Sequence, residues 1–174
     1  SNDHLAIRPG IVYTSTGSAK FGLPPGDYEV IAGRGFEYSI DRAKISVSAG
    51  DEAQQTLKIA RVVDTSGYVA CDPHVHTLTH SGHGDATVQE RMITIAAEGI
   101  ELPIATDHNV HIDHESFAKE MNVRPFFTPV IGNEVTTKVG HFNIWPVESA
   151  EVDPPDWKSM DWNEIFDGIF ATPG

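Results

Sequence analysis

Polar and apolar residues alternate in three short stretches near the start of the chain: Asp27-Tyr28-Glu29-Val30-Ile31, Lys44-Ile45-Ser46-Val47-Ser48 and Thr56-Leu57-Lys58-Ile59-Ala60. Successive side chains of a strand point to opposite faces, so a period of two predicts half-buried strands. Turn-forming clusters separate them, at Pro24-Pro25-Gly26, Gly33-Arg34-Gly35 and Ala49-Gly50-Asp51. This spacing predicts a small all-β, sandwich-like unit over residues 1–66. No catalytic constellation falls within it, and a structural or docking role is expected. Ser1-Asn2 reads as the remnant of a tag.

The pattern changes after Asp64-Thr65-Ser66-Gly67, which is taken as a boundary, with a second unit over residues 67–174. Tyr68 to His76 reads as a strand, followed by a loop rich in Gly, His and Ser. Thr87-Val88-Gln89-Glu90 fits a capping box, in which the Thr and Glu side chains satisfy free amides at a helix start. Val88, Met92, Ile95 and Ala96 follow at helical spacing, and Gly99 can end that helix in a left-handed conformation. Leu102–Thr106 predicts a short strand, Glu115–Met121 a short helix, and Phe127–Val135 and His141–Pro146 further strands. Trp162, Ile165, Phe166 and Ile169 mark one face of a final helix, with Ser159 as its cap. Strands alternating with helices predict a parallel α/β arrangement whose functional loops lie at the carboxyl ends of the strands.

Charge narrows the partners. A formal net charge of −13 argues against a nucleic-acid backbone, which is usually met by Lys/Arg clusters. No run approaches the roughly 18 apolar residues that a membrane-spanning helix needs. Cys71 is the only cysteine, which excludes an internal disulfide. The opposite strand parity of Cys71 and His74 favours a structural role for that thiol.

Histidine carries the chemical signal. Of nine histidines, seven (His74, His76, His80, His83, His108, His111 and His114) fall between positions 74 and 114. His74 and His76 share one strand face and can converge on a cation, and Asp72, of the same parity, is a candidate for orienting one of them. Asp107-His108 ends the next strand, Glu134 closes the apolar run Pro129-Val130-Ile131, and His141 follows in a further short strand. Each signal has an ordinary alternative: an incidental His-x-His, a surface turn, an exposed glutamate, a hydrogen-bonded histidine. Together they place nitrogen or carboxylate donors at four strand ends.

In order along the chain, Asp72-Pro73-His74-Val75-His76-Thr77, Thr106-Asp107-His108-Asn109, Gly132-Asn133-Glu134-Val135-Thr136-Thr137 and Gly140-His141-Phe142-Asn143 resemble the motifs of PHP (polymerase and histidinol phosphatase) domains. The closer likeness is to the branch that includes carbaryl hydrolases. The resemblance covers roughly residues 67–174. It implies an α/β fold, part of a distorted (β/α)7 barrel, with two or three divalent transition metals (Zn, Mn or Fe) in the complete protein. His74, His76, His108, Glu134 and His141 become candidate ligands, Glu134 as the bridging one. For the loop after the first motif, Asp85 is the first choice of ligand and His83 the second. Glu134, His108 and Asp85 are the candidate catalytic residues, and His80, His111 and His114 are expected to be solvated loop histidines. A later histidine and an Asp-x-His of the family have no counterpart before Gly174, so an incomplete metal shell with weak, partial occupancy is expected.

The expected function is metal-dependent hydrolysis of a small-molecule phosphoester by a metal-activated water, with a carbamate or carboxylic ester as the alternative. A metal-containing binding module without turnover is the alternative from another class. The N-terminal unit resembles small domains attached to extracytoplasmic bacterial enzymes, which favours export.

Overall fold

A computed structural model of the chain describes residues 4–174; Ser1 and Asn2, read above as a tag remnant, lie outside them. The architecture is mixed α/β with several small sheets. Strands β1 (Leu5–Arg8) and β2 (Ile11–Thr14) form one antiparallel hairpin, and β3 (Gly26–Ala32) and β4 (Asp41–Val47) form another. A three-stranded parallel sheet follows, ordered β5 (Cys71–Val75), β6 (Leu102–Ala105), β7 (Val130–Ile131). An antiparallel pair, β8 (Asn133–Thr136) and β9 (His141–Ile144), extends from it. Four α-helices lie among the described residues, α1 (Leu78–Ser81), α2 (Val88–Ala97), α3 (Glu115–Glu120) and α4 (Trp162–Ala171), with a single 3-10 turn at Arg124–Phe126. Among the described residues no closed barrel forms, and no helix is long and apolar enough to cross a membrane.

The expected sandwich resolves into two separate two-stranded sheets. Its third strand, Thr56–Ala60, does not join a ladder. Its backbone is held instead by single hydrogen bonds to Ser39 and Asp41: Lys58 N donates to Asp41 Oδ2 at 2.8 Å, Ala60 N to Ser39 Oγ at 3.0 Å, and Ser39 N to Ala60 O at 2.8 Å. Alternation can mark which side chains tuck in without a partner strand being present.

Helix α2 forms as its sequence predicts. Thr87 Oγ1 accepts from Glu90 N at 3.3 Å, and Glu90 Oε2 accepts from Thr87 N at 3.1 Å. Val88, Met92, Ile93, Ile95 and Ala96 then enter a core shared with Val75, Ala118, Met121, Val123 and Phe127. Ala6 of β1 lies in that same core and Tyr13 of β2 packs against it, so the first hairpin is fastened to the α/β part through α2. Helix α4 is capped by Asp161, not Ser159: Asp161 Oδ1 accepts from Asn163 N at 2.8 Å and Glu164 N at 3.4 Å. Ser159 Oγ donates to Glu164 Oε2 at 2.6 Å.

Gly132 breaks the single strand expected over Phe127–Val135 into β7 and β8. A Cβ there would lie 2.8 Å from both the Ala105 and the Ile144 carbonyl oxygens, so only glycine fits where the parallel sheet meets the antiparallel pair. That crossing places Glu134 beside the end of β6.

Candidate metal centre

The carboxyl ends of β5 and β6 and the start of β8 meet at one mouth. Strand β5 is bulged between Asp72 and Val75, and Asp72 Oδ1 accepts from His74 N at 3.1 Å. Asp72 thus shapes the backbone and does not orient an imidazole. His76 follows just past the strand. Beyond β6, Asn109 adopts φ 58 and is stitched to β8: its Oδ1 accepts from Thr136 N at 2.8 Å, and its N donates to Glu134 O at 3.0 Å. These bonds set His108 directly beside Glu134, a pairing also seen as an isolated parallel bridge.

Glu134 is the hub. Its side chain is 5% exposed, and four imidazoles surround it. Oε2 lies 3.3 Å from His74 Nε2, 3.0 Å from His76 Nε2 and 3.1 Å from His108 Nδ1, whereas Oε1 faces His141 Nδ1 at 2.8 Å. Burial pushes the Glu134 carboxyl up, but hydrogen bonds from His74 and His141 and the fields of His108 and His76 outweigh it, leaving the pKa below the ordinary glutamate value. His76 and His108 are both pushed down, chiefly by burial and against the pull of Glu134. Both shifts favour neutral imidazoles beside an ionised carboxylate, the forms in which these groups bind cations.

Two sets of donor atoms can hold a metal ion: His74, His76 and Glu134, and His76, His83 and His108. In each set the ligand atoms lie within 4.8 Å of one another. His76 belongs to both. Ring nitrogens face each other across the mouth, His74 Nε2 to His76 Nε2 at 2.8 Å and His83 Nε2 to His108 Nε2 at 2.6 Å. Imidazole nitrogen with one carboxylate suits Zn, Mn or Fe better than Ca, so this donor set fits a transition metal.

His74, His76, His108 and Glu134 are brought together, and His141 joins through Glu134 without entering either three-residue set. His83 lies among them. Asp85 does not: its side chain is 68% exposed and pairs with Arg8 at 3.0 Å and Arg91 at 3.2 Å. The loop after α1 turns through Gly82 (φ 72) and Gly84 (φ 94), and this path aims His83 at His108 while Asp85 turns toward the first hairpin.

The expectation of solvated loop histidines is overturned for His111 and His114, which are 3% and 1% exposed. His111 Nδ1 hydrogen-bonds to the Val152 carbonyl at 3.0 Å. Neither ring nitrogen of His114 has a hydrogen-bond partner, and burial lowers its pKa to about 4. His80 is half-buried, with Nε2 also unpartnered. Cys71, expected to be structural, is exposed.

Sequence reasoning passed over Ser81 and Thr136, whose hydroxyls touch the ring nitrogens of His76 and His108 at 3.0 and 2.6 Å. Nothing in the residue type of a loop serine or a strand threonine marks it for this role before the loop path is known.

A cavity of about 940 Å³ opens beside the cluster, with His74, His76 and His83 on one wall and Tyr13, Tyr38 and Tyr68 among its other lining residues. Comparison of the chain with family models, with curated proteins and with solved structures found no match.

Proposed function

We propose that this chain carries the metal centre of a metal-dependent hydrolase, most simply a phosphoesterase, of the PHP type. The observation that supports it above all is a buried glutamate whose two oxygens face different imidazoles, with two three-residue donor sets sharing His76. A carboxylate so placed can serve two cations. The parallel order of β5, β6 and β7, with the donors at the strand ends, is the arrangement from which a (β/α)7 barrel would be built.

His74, His76 and Glu134 would hold one cation; His76, His83 and His108 form an alternative triad, and because a neutral imidazole has one free lone pair, His76 would serve only one of the two at a time. When bound, such cations supply a water nucleophile at neutral pH and offset charge that develops on the substrate oxygen. Glu134, kept ionised by its four imidazoles, fixes the negative charge that retains them. His141, outside both sets and 53% exposed, is the proposed proton donor to the leaving oxygen. Arg34 in the cavity wall offers a cationic partner for a phosphoryl group, whereas Arg8 and Arg91 there are already paired with Asp85.

A carbamate or carboxylic ester is the second reading, supported by the tyrosines and by Val63, Val69 and Ile95 in that same cavity, which suit an uncharged substrate. Elemental analysis of protein purified without added metal or chelator tests the proposal. Zinc, manganese or iron that falls away when His74 or Glu134 is replaced supports it. Metal-free protein that cleaves neither aryl phosphate nor aryl carbamate after reconstitution with any of the three sinks it.

A further inference from the structure

Asp107 is fully buried and accepts several hydrogen bonds. Its Oδ1 takes the Thr77 amide at 2.7 Å and the Ser81 hydroxyl at 2.6 Å, and the Thr77 hydroxyl lies 3.1 Å from both carboxylate oxygens. Because a serine hydroxyl has one proton, a Ser81 hydroxyl that donates to Asp107 can only accept from its other neighbours. Those neighbours are His108 N at 3.3 Å, which is a donor, and His76 Nδ1 at 3.0 Å. An acceptor at Ser81 Oγ requires the proton of His76 to sit on Nδ1. On the far side of the ring His76 Nε2 has two neighbours, His74 Nε2 at 2.8 Å, from which it can accept, and Glu134 Oε2 at 3.0 Å, which would instead accept from the opposite tautomer, so Ser81 decides between them.

We propose that Asp107, acting through Ser81, holds His76 as the Nδ1–H tautomer and so presents the Nε2 lone pair to a cation. The fit to a cation rests on the metal-centre reading above; the tautomer does not. His76 is the one residue common to both donor sets, so a wrong tautomer there would weaken both at once. Asp107 and Ser81 are positioning residues, separated from any cation by the ring they orient. Groups of this kind typically change metal affinity by about 10- to 100-fold. The fold makes the link short: Thr77 caps α1 and Ser81 ends it, so one helical turn brings two hydroxyls onto the same carboxylate.

The test uses the full chain and two readouts. Long-range ¹H–¹⁵N spectra of the metal-free protein, at a pH where His76 is neutral, are expected to show its proton on Nδ1. In Ser81→Ala the Nε2–H form should grow, and zinc affinity by calorimetric titration should fall by about 10- to 100-fold. Ser81→Thr, which keeps the hydroxyl, should restore both. A wild-type His76 carrying its proton on Nε2, donated toward Glu134 Oε2 at 3.0 Å, overturns the proposal without any variant. So does a folded Ser81→Ala with unchanged tautomer and affinity. If the tautomer behaves as expected but the wild type takes up no zinc, the metal-centre reading fails while the hydrogen-bond role of Ser81 stands.

Discussion

Two groups of histidines come from one stretch of chain and meet opposite surroundings. His74, His76 and His108 gather around Glu134, with His83 facing His108, whereas His111 and His114 sink into the interior only a few residues further on. All are the same residue type, and burial alone does not separate them, since His76 and His108 are also largely covered. What differs is the company. In the first group His74, His76 and His108 share an ionised carboxylate, and His83 faces the ring of His108. In the second, His111 has one backbone carbonyl, and His114 has no hydrogen-bond partner. A dense run of histidines therefore gathers around one acid only where the topology also delivers a carboxylate from another strand, as the crossing at Gly132 does for Glu134.

The largest test of that contrast is to remove the carboxylate. Glu134→Gln should leave no metal after dialysis, as measured by elemental analysis, because the remaining imidazoles lose the carboxylate that lies among them. Retention equal to the parent would break the comparison. Next in size is acid sensitivity from the interior group. His114 is lowered from 6.5 to about 4, so the unfolded chain binds a proton that the folded chain refuses. Its contribution is fully present above pH 6.5 and is lost as pH falls toward 4, amounting to about 3 kcal/mol. Denaturant midpoints measured across that range should fall less steeply in His114→Phe than in the wild type, and equal slopes would mean that the imidazole is not held neutral.

Smaller effects sharpen the boundary of the cluster. His83→Ala should lower zinc affinity by about 10-fold or more by calorimetry, at the near end of what single supporting groups contribute. Asp85→Asn should change it less than about 2-fold and cost no more than about 1 kcal/mol of stability, the usual worth of exposed ion pairs. A reversal of these two results would restore Asp85 as the loop ligand.

Much of this was legible in the chain. The Thr87–Glu90 capping box and the helix behind it depend on contacts three residues apart, and local sequence is enough for those. His74, His76, His108 and Glu134 were legible as strand-end donors because a parallel arrangement sends such ends to one side. The rest needed long-range geometry. Whether Thr56–Ala60 finds a partner strand is not written in its own alternation. The choice between His83 and Asp85 turns on two left-handed glycines and on the pull of Arg8, which lies far upstream. His111 and His114 look polar in the sequence, and only the packing around α3 makes them interior.

Arg8 has a consequence for the order in which the molecule assembles. From the first hairpin its guanidinium reaches the Asp85 side chain, the Asp85 carbonyl and Glu90, bridging 77 positions of sequence to the loop that carries His83. Contacts between such distant positions form only after the intervening chain has collapsed. His74 sits on β5 and His76 just past it, and the strand that pairs with β5 is the next along the chain. The loop that carries His83 is therefore fixed from its outer side only once the N-terminal hairpin has docked, so the His83 side of the mouth depends on that late contact.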